Sequence, residues 1–237
     1  MSIQDKIIWD NVAEEFDRKI GPDGDVVRRF CVDEMLLNLL KKVNKNYNVL
    51  DAGSGNGYFL TKLKSSGFKC SGLDISPRLL NIARKRCAGT SFYEADLEDK
   101  STLPSIQWDN IICSFVLDGL KDIKSALANL NRLITIGGYM IINIPHPAFI
   151  ESDWLNNKSR KQYVADDNDG QWYTMYHCTK SVKYYRRPIS QYINKIIESG
   201  FEIRQIVEPE PSSIDKYFEE TERKKPAYVL GIAAQRK

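Results

Sequence analysis

The chain has 237 residues, of which 42% are hydrophobic and 27% charged, and its formal net charge is +3 at pH 7. This length supports one large domain, and the composition is that of a globular protein. So small a charge excess gives no reason to expect a nucleic-acid or anionic-membrane partner. The sequence shows no signal-peptide pattern, no apolar run long enough to span a membrane and no close pair of cysteines. We therefore expect a reduced, cytoplasmic protein.

Helical spacing of apolar residues predicts two helices in the N-terminal segment, residues 1–44. The first covers about 3–19, and a Gly-Pro-Asp-Gly turn at 21–24 ends it. The second extends over about 25–43.

Short apolar runs then alternate with helical patterns up to residue 145. Such alternation predicts a parallel sheet covered by helices on both faces. The expected strands are 47–51, 68–74, 90–93, 108–115 and 139–144, and the expected helices are 58–66, 77–87 and 123–134, the last closed by Gly137-Gly138.

The alternation stops after this region. Residues 146–187 show no clear period but carry eight aromatic residues and an acidic run at 166–169, which is too long and too aromatic for a plain connection. We therefore expect an insert after strand five. Beyond it, a helix at 190–199 and two strands at 201–207 and 227–234 are predicted.

The turn after the first strand reads Asp51-Ala52-Gly53-Ser54-Gly55-Asn56-Gly57. Open parallel sheets bind ligands at the carboxyl ends of their strands, and glycines let the backbone come close to a ligand. Dinucleotide sites use Gly-x-Gly-x-x-Gly, whereas here the glycines are spaced Gly-x-Gly-x-Gly. The carboxylate of Asp51 would repel a pyrophosphate and attract a cation, which favours a sulfonium or ammonium ligand over a dinucleotide.

Residues 49–57, Val-Leu-Asp-Ala-Gly-Ser-Gly-Asn-Gly, resemble motif I of the class I S-adenosylmethionine-dependent methyltransferases. Three further stretches match in the same order: the acid Asp74, the loop 95–97 and the segment 113–117. The resemblance covers roughly residues 45–145 and points to small-molecule enzymes with a ubiquinone/menaquinone-methyltransferase-type domain.

The resemblance implies S-adenosylmethionine as cofactor, with S-adenosylhomocysteine as its product. It implies that Asp74 binds the ribose hydroxyls and that Asp96 binds the exocyclic amine of adenine. The end of strand four would form a wall of the cofactor site. The implied cofactor residues are Asp51, Ala52, Gly53, Ser54, Gly55, Gly57, Asp74, Ile75, Asp96, Leu97, Ser114 and Phe115. Each of these residues also has an interpretation without a ligand. The glycines could form a mere tight turn, Asp74 could be an N-cap, the loop at Asp96 could be solvated, and the end of strand four could be hydrophobic core.

The resemblance also implies the fold. It is an α/β, Rossmann-like, seven-stranded and mostly parallel sheet with helices on both faces and an antiparallel last strand. We expect one domain over the whole chain, with a helical lid at 1–44, a cofactor-binding core at 45–145, a substrate-cap insert at 146–187, and a C-terminal helix and strands at 188–237.

His146 follows strand five, where the family's substrate enters, and histidine is the natural proton acceptor near neutral pH. It is therefore a candidate general base, although it could instead cap the strand. Further candidates for contact with the substrate come from the first helix and the insert: Trp9, Phe16, Trp154, Trp172, Tyr176 and Arg186. Core packing is the alternative for the aromatic residues. For the arginine, a solvated surface is the interpretation that we favour.

The leading hypothesis is a methyltransferase that acts on an oxygen or nitrogen atom of a small molecule, without a metal. A peptide, protein or nucleic-acid methyltransferase and a non-catalytic scaffold of the same fold are the alternatives. Residues 113–116, Cys-Ser-Phe-Val, lack the Asn/Asp-Pro-Pro-Tyr pattern of the enzymes that methylate amino groups of nucleic acids and glutamine. The basic excess is also slight, so nucleic acid is disfavoured. A dinucleotide oxidoreductase is disfavoured because no Tyr-x-x-x-Lys pair follows a suitable strand.

Overall fold

A computed structural model of the chain describes residues 3–43, 48–148, 170–174, 179–210 and 227–237. The described chain contains nine strands and six α-helices. The strands are β1 (Asn48–Ala52), β2 (Lys69–Asp74), β3 (Ser91–Glu94), β4 (Trp108–Ser114), β5 (Ile134–Pro145), β6 (Gln171–Thr174), β7 (Ser181–Tyr184), β8 (Phe201–Val207) and β9 (Val229–Arg236). The helices are α1 (Ile3–Ile20), α2 (Asp33–Val43), α3 (Tyr58–Ser65), α4 (Pro77–Arg86), α5 (Ile123–Leu133) and α6 (Ile189–Glu198).

Seven of the strands form one sheet in the order β3-β2-β1-β4-β5-β9-β8. β1 through β5 are parallel to one another, whereas β9 runs antiparallel to both β5 and β8. The predicted Rossmann-like sheet with an antiparallel last strand is therefore confirmed. The strand order reverses between β1 and β4, and in open α/β sheets this switch point is where ligands bind.

The central strands separate two apolar clusters. On β4, Ile111 packs in the cluster that contains Leu127 of α5, whereas Ile112 packs in the cluster that contains Leu36 of α2 and Leu60 of α3. Successive side chains of a strand point to opposite faces, so a continuously apolar strand is buried on both sides. Helices therefore cover both faces of the sheet, as expected.

Strand β5 begins five residues earlier than predicted. α5 ends at Leu133 and β5 starts at Ile134, while the pairing with β4 shifts register between Trp108 and Asn110. A Cβ atom on Gly138 would lie 2.4 Å from the carbonyl oxygen of Asp109. The glycine pair therefore permits a close approach within the irregular start of β5 and does not end the helix.

The described part of the insert contains a β-hairpin that the sequence did not predict. β6 and β7 form a separate two-stranded antiparallel sheet, with Gln171 opposite Tyr184 and Thr174 opposite Ser181. Strands of four residues are too short for alternation to distinguish them from loop. Among the described helices, none is both long and apolar enough to cross a membrane.

Candidate active site

The glycine turn between β1 and α3 depends on backbone conformations that favour glycine. Gly53, Gly55 and Gly57 have φ values of +80°, +52° and +76°. A Cβ atom on Gly53 would lie 2.3 Å from Val116, and one on Gly57 would lie 3.0 Å from the Cβ of Ala83. The turn is thus pressed between the loop after β4 and helix α4, and side chains at these positions would push both away.

Asp74, at the end of β2, connects the turn to α4. Its two carboxylate oxygens accept hydrogen bonds from the backbone N–H groups of Gly55 (2.8 Å) and Ser76 (2.9 Å). The N-cap of α4 is Ser76, whose hydroxyl oxygen accepts from the N–H of Leu79 at 3.1 Å. Since Ser76 caps the helix, Asp74 is not needed there. The N–H of Ile75 also donates to this carboxylate, which has about four acceptor positions and so keeps room for a ligand hydroxyl.

The turn holds two buried carboxylates close together. Burial, followed by the nearby charge of Asp74, raises the pKa of Asp51 to about 7. Burial also raises the pKa of Asp74 to about 6, although its backbone hydrogen bonds act in the opposite direction. Within the described ranges neither carboxylate forms an ion pair, so a ligand that brings a positive charge fits this end of the site.

The loop after β3 lies beside Asp74 because the backbone N–H of Ala95 donates to the carbonyl of Asp74 at 3.0 Å. Asp96 is half-buried, and its Oδ1 accepts from the N–H of Glu98 at 2.8 Å. Leu97 is buried, and its carbonyl accepts from the amide of Asn129 at 2.8 Å. This loop is fixed in place and only partly solvated, in the position that the resemblance gives to the adenine segment.

The end of β4 is strained. Phe115 is the one non-glycine residue of the described chain with a positive φ, at +54°, and its N–H donates to the carbonyl of Asn143 at 3.0 Å. Such a conformation persists only where its surroundings enforce it, and it is common at ligand sites. Ser114 and Phe115 are both half-buried, and Val116 touches the turn at Gly53, so this segment borders the site and is not plain core.

Helix α1 covers the turn and is fixed to it by polar contacts. Asp10 accepts from the Ser76 hydroxyl at 2.5 Å, and Asp17 pairs with Arg86 at 2.7 Å and with the amide of Asn56 at 2.9 Å. A Cβ atom on Gly55 would lie 3.5 Å from the ring of Phe16. The predicted Phe16 therefore faces the site.

Trp9 shares the aromatic contact of Phe16. The two rings meet edge to face, with centroids 6.0 Å apart and an interplanar angle of 88°. Both residues are half-buried, and Phe16 also packs against the apolar cluster that contains Leu36 and Leu60.

Arg28 is a site residue that the sequence analysis missed. It begins the π-helical turn Arg28–Val32 before α2, forms an ion pair with Asp25, and lies 5.7 Å and 5.0 Å from the ring centroids of Phe16 and Phe115. π-Helical turns are rare and are frequent at functional sites. Apolar spacing does not reveal such a turn, so only the tertiary structure places this cation above the glycine turn.

Both ring nitrogens of His146 are engaged by the protein. Nε2 lies 2.8 Å from Oε1 of Glu208, and Nδ1 accepts from the N–H of Ala148 at 3.3 Å. The neutral tautomer with hydrogen on Nε2 satisfies both contacts, and the side chain is buried. To act as a general base, His146 would have to exchange one of these partners for the acceptor.

The remaining substrate candidates lie in different environments. Trp172 is 56% exposed, and the ammonium group of Lys183 lies 5.6 Å from its ring centroid. Arg186 is buried, and burial lowers its pKa. The expected solvated surface is therefore wrong for Arg186, whereas Trp154 and Tyr176 lie outside the described residues.

The hairpin joins α1 to the loop after β4. Both oxygens of Glu15 accept from Thr179, from its N–H at 2.7 Å and its hydroxyl at 3.0 Å, and Lys180 donates to the carbonyl of Asn11. On the other side, the N–H of Tyr185 donates to the carbonyl of Asp118 at 2.7 Å. The hairpin is thus held between α1 and the turn that follows the carboxyl end of β4, where the predicted cap would lie.

Comparison with known proteins agrees with this geometry. The family described as "Methyltransferase domain" matches residues 25–196. A malonyl-[acyl-carrier protein] O-methyltransferase of Serratia marcescens is 31% identical over 143 residues, which are 60% of this chain and 55% of that protein. A demethylmenaquinone methyltransferase of Tropheryma whipplei is 31% identical over 145 residues, which are 59% of each chain. The chain thus spans little more than half the length of the curated relatives it matches.

Among solved structures, an S-adenosylmethionine-dependent methyltransferase of Mesorhizobium loti superposes with a TM-score of 0.70. It is 22% identical, and the match covers 91% of this chain and 100% of that one. The fold is that of the S-adenosylmethionine-dependent methyltransferases. The chain belongs to the methyltransferase-domain family, whose cofactor the resemblance identifies as S-adenosylmethionine.

Proposed function

We propose that the protein transfers a methyl group from S-adenosylmethionine to an oxygen or nitrogen atom of a small molecule. The observation that carries this proposal is the cap over the strand ends. α1 and the β6–β7 hairpin are joined through Glu15 and Thr179 above the glycine turn, and Phe16 lies against Gly55 beneath them. A covered site admits small acceptors more readily than a folded macromolecule.

The donor would be held by groups already in position. Asp74 would take the ribose hydroxyls and Asp96 the adenine amine, while the buried carboxylate of Asp51 would stabilise the cationic amino-acid end. Arg28, between the rings of Phe16 and Phe115, has the charge to bind the donor's carboxylate. When bound, the donor supplies an electrophilic methyl group, and alignment of the acceptor with it accounts for much of the rate.

The curated relatives favour the same class of substrate. One is named for a malonyl group on an acyl-carrier protein and another for demethylmenaquinone. Both names describe small acceptors, of which the first is delivered on a carrier protein. We therefore propose a small organic acceptor that is free in solution.

The test measures release of S-adenosylhomocysteine by the purified protein with two fractions of a cell extract, the ultrafiltrate and the retained macromolecules. We expect release with the ultrafiltrate, and its loss in Asp74→Ala. In that variant the affinity for S-adenosylhomocysteine, followed by calorimetry, should fall at least about 30-fold, because hydrogen bonds to a charged group contribute about 1.5–3 kcal/mol each.

Asp23→Asn is the control, because this exposed carboxylate lies on the turn after α1. It should leave both measurements unchanged. Release only with the macromolecular fraction would contradict a small-molecule acceptor, and failure of the wild-type protein to bind S-adenosylhomocysteine would contradict the cofactor site itself.

A further inference from the structure

Beyond the end of β4 lies a carboxylate with one oxygen that has no hydrogen-bond partner among the described residues, although its own backbone N–H donates to the group. Asp118 lies on the short turn Leu117–Gly119, directly after the segment that packs on the cofactor turn, and its carbonyl accepts from Tyr185 next to the cap hairpin. Its position is thus between the cofactor turn and the cap. The predicted site residues did not include it.

Two polar atoms in this region are buried and unsatisfied. Oδ1 of Asp118 and the hydroxyl of Tyr184 have no hydrogen-bond partner among the described residues. Buried polar groups in proteins are nearly always paired, so an unpaired carboxylate oxygen and an unpaired hydroxyl on a turn and a strand that contact each other need an explanation. A ligand that offers hydrogen bonds to both would supply one.

The nearest cation does not fill this role. Arg187 is buried, and its guanidinium donates to backbone carbonyls of the same loop, at 3.2 Å to Leu117 and 2.9 Å to Lys121. It also donates to the carbonyls of Leu120 and Tyr185. Arg187 therefore fixes the loop and leaves the carboxylate oxygen available.

We propose that Asp118 binds the N–H or O–H group of the methyl acceptor and takes up its proton, with the Tyr184 hydroxyl as the neighbouring hydrogen-bonding group. This assignment rests on the proposed function. The acceptor's lone pair forms the new bond to the methyl carbon while the carbon–sulfur bond breaks and its electron pair stays on sulfur. The acceptor's proton passes to Oδ1, so that a neutral thioether, a methylated acceptor and a protonated carboxyl result.

The charges around Asp118 suit a proton acceptor at neutral pH. Burial raises its pKa to about 6, and Arg187 and Arg28 act in the opposite direction. The other titratable groups that feel its charge are Tyr184, Tyr192 and Cys113. Above pH 6 the carboxylate is charged and can take a proton, and a pKa near the working pH is what efficient proton transfer requires.

The experiment compares Asp118→Asn with wild type, using S-adenosylhomocysteine release with the extract ultrafiltrate. We expect turnover to fall at least about 100-fold, in the range of general acid–base contributions, while the affinity for S-adenosylhomocysteine changes less than threefold. At saturating S-adenosylmethionine, the wild-type kcat/KM for the acceptor should rise with pH through about 6, and this limb should be absent from the residual activity of the variant. Tyr184→Phe should raise KM more than it lowers kcat.

Asp122→Asn is the matched control, since Asp122 caps α5 four residues further on and asparagine caps equally well. It should retain wild-type turnover. His146→Gln tests the rival base: if it loses the limb near pH 6 while Asp118→Asn keeps it, the assignment of Asp118 is wrong.

A stability measurement guards against a merely structural effect. Because the pKa of Asp118 is raised by folding, ionisation of this group weakens the fold as pH rises from about 4 to about 6. Asp118→Asn should therefore have an equal or higher melting temperature than wild type at pH 8. A lower melting temperature together with lost turnover would identify Asp118 as structural. If wild type releases no product with the ultrafiltrate, the proposed function fails first and the assignment of Asp118 fails with it.

Discussion

The two halves of the site differ in how their polar groups are satisfied. At the ends of β1–β3, the cofactor half, the carboxylate of Asp74 accepts two backbone hydrogen bonds and the loop at Asp96 is fixed by its own. At the ends of β4 and β5, the acceptor half, Asp118 and Tyr184 keep buried atoms without partners among the described residues. Since buried polar groups are normally paired, the acceptor half has buried polar atoms that still lack a hydrogen-bond partner among the described residues. In the cofactor half, most of the polar groups already have one.

Asn143 on β5 is a further residue of the acceptor half whose buried polar atoms lack hydrogen-bond partners among the described residues. It is fully buried opposite Ser114 in the sheet, and neither its amide nitrogen nor its amide oxygen has a partner in the described chain. In the cofactor half, the hydroxyl of Ser54 is the corresponding unpaired atom. The cofactor half therefore resembles a preformed site, and the acceptor half depends on its ligand to complete it.

The largest expected effect tests whether the cofactor turn depends on close packing. Gly53→Ala and Gly67→Ala impose nearly the same backbone strain, with φ of +80° and +85°, but only the first adds a clash, with Val116. We expect Gly67→Ala to lower the free energy of unfolding by about 1–2 kcal/mol and Gly53→Ala by about 1–3 kcal/mol more. Urea denaturation measures both, and equal losses would mean that the turn tolerates displacement of the β4 loop.

A smaller effect tests the charges of the cofactor half. Asp51 and Asp74 have raised pKa values in the free protein, about 7 and about 6, so both bind protons that a cationic ligand would displace. Affinity for S-adenosylhomocysteine, which carries an ammonium group, should rise with pH between about 5 and 7, by up to about tenfold per pH unit for each proton released.

Calorimetry in buffers with different ionisation enthalpies counts those protons directly. Near pH 6.5, wild type should release protons on binding, and Asp51→Asn should release fewer. The same raised pKa values mean that the free protein loses stability as pH rises from about 4 through 7, since the folded state binds the protons more tightly. Proton uptake on binding would contradict the proposed role of Asp51.

The smallest expected effect concerns the cap that joins the two halves. Glu15→Gln weakens both hydrogen bonds from Thr179, which themselves hold the pKa of Glu15 below its usual value. Because this pair is exposed, we expect KM for the acceptor to rise by less than about fivefold at unchanged affinity for S-adenosylhomocysteine. Glu14→Gln, the exposed neighbour on α1, is the control. An equal change of KM in both variants would mean that the contact between Glu15 and Thr179 has no specific role in acceptor binding.

The sequence predicted the strands, turn and helices that carry the cofactor half because that half is local, whereas the roles of its cofactor residues stay a prediction. Residues 51–57 are contiguous, Ser76 and Pro77 mark the start of α4, and the loop at 95–97 follows its strand directly. The hairpin was missed because each strand has only four residues, and Arg28 and Asp118 were missed because no motif contains them. The solvated surface expected for Arg186 was wrong, since that residue is buried.

The sequence by itself determined the fold class, the glycine turn and the acids at the strand ends, because hydrophobic periodicity and turn chemistry act between neighbouring residues. Only the tertiary structure decided what covers the turn and what remains unpaired beside it. Arg28 and Phe115 meet across 87 positions of the chain, and Glu15 meets Thr179 across 164. Such contacts depend on how helices and strands pack, and no local pattern encodes which side chains the packing brings together.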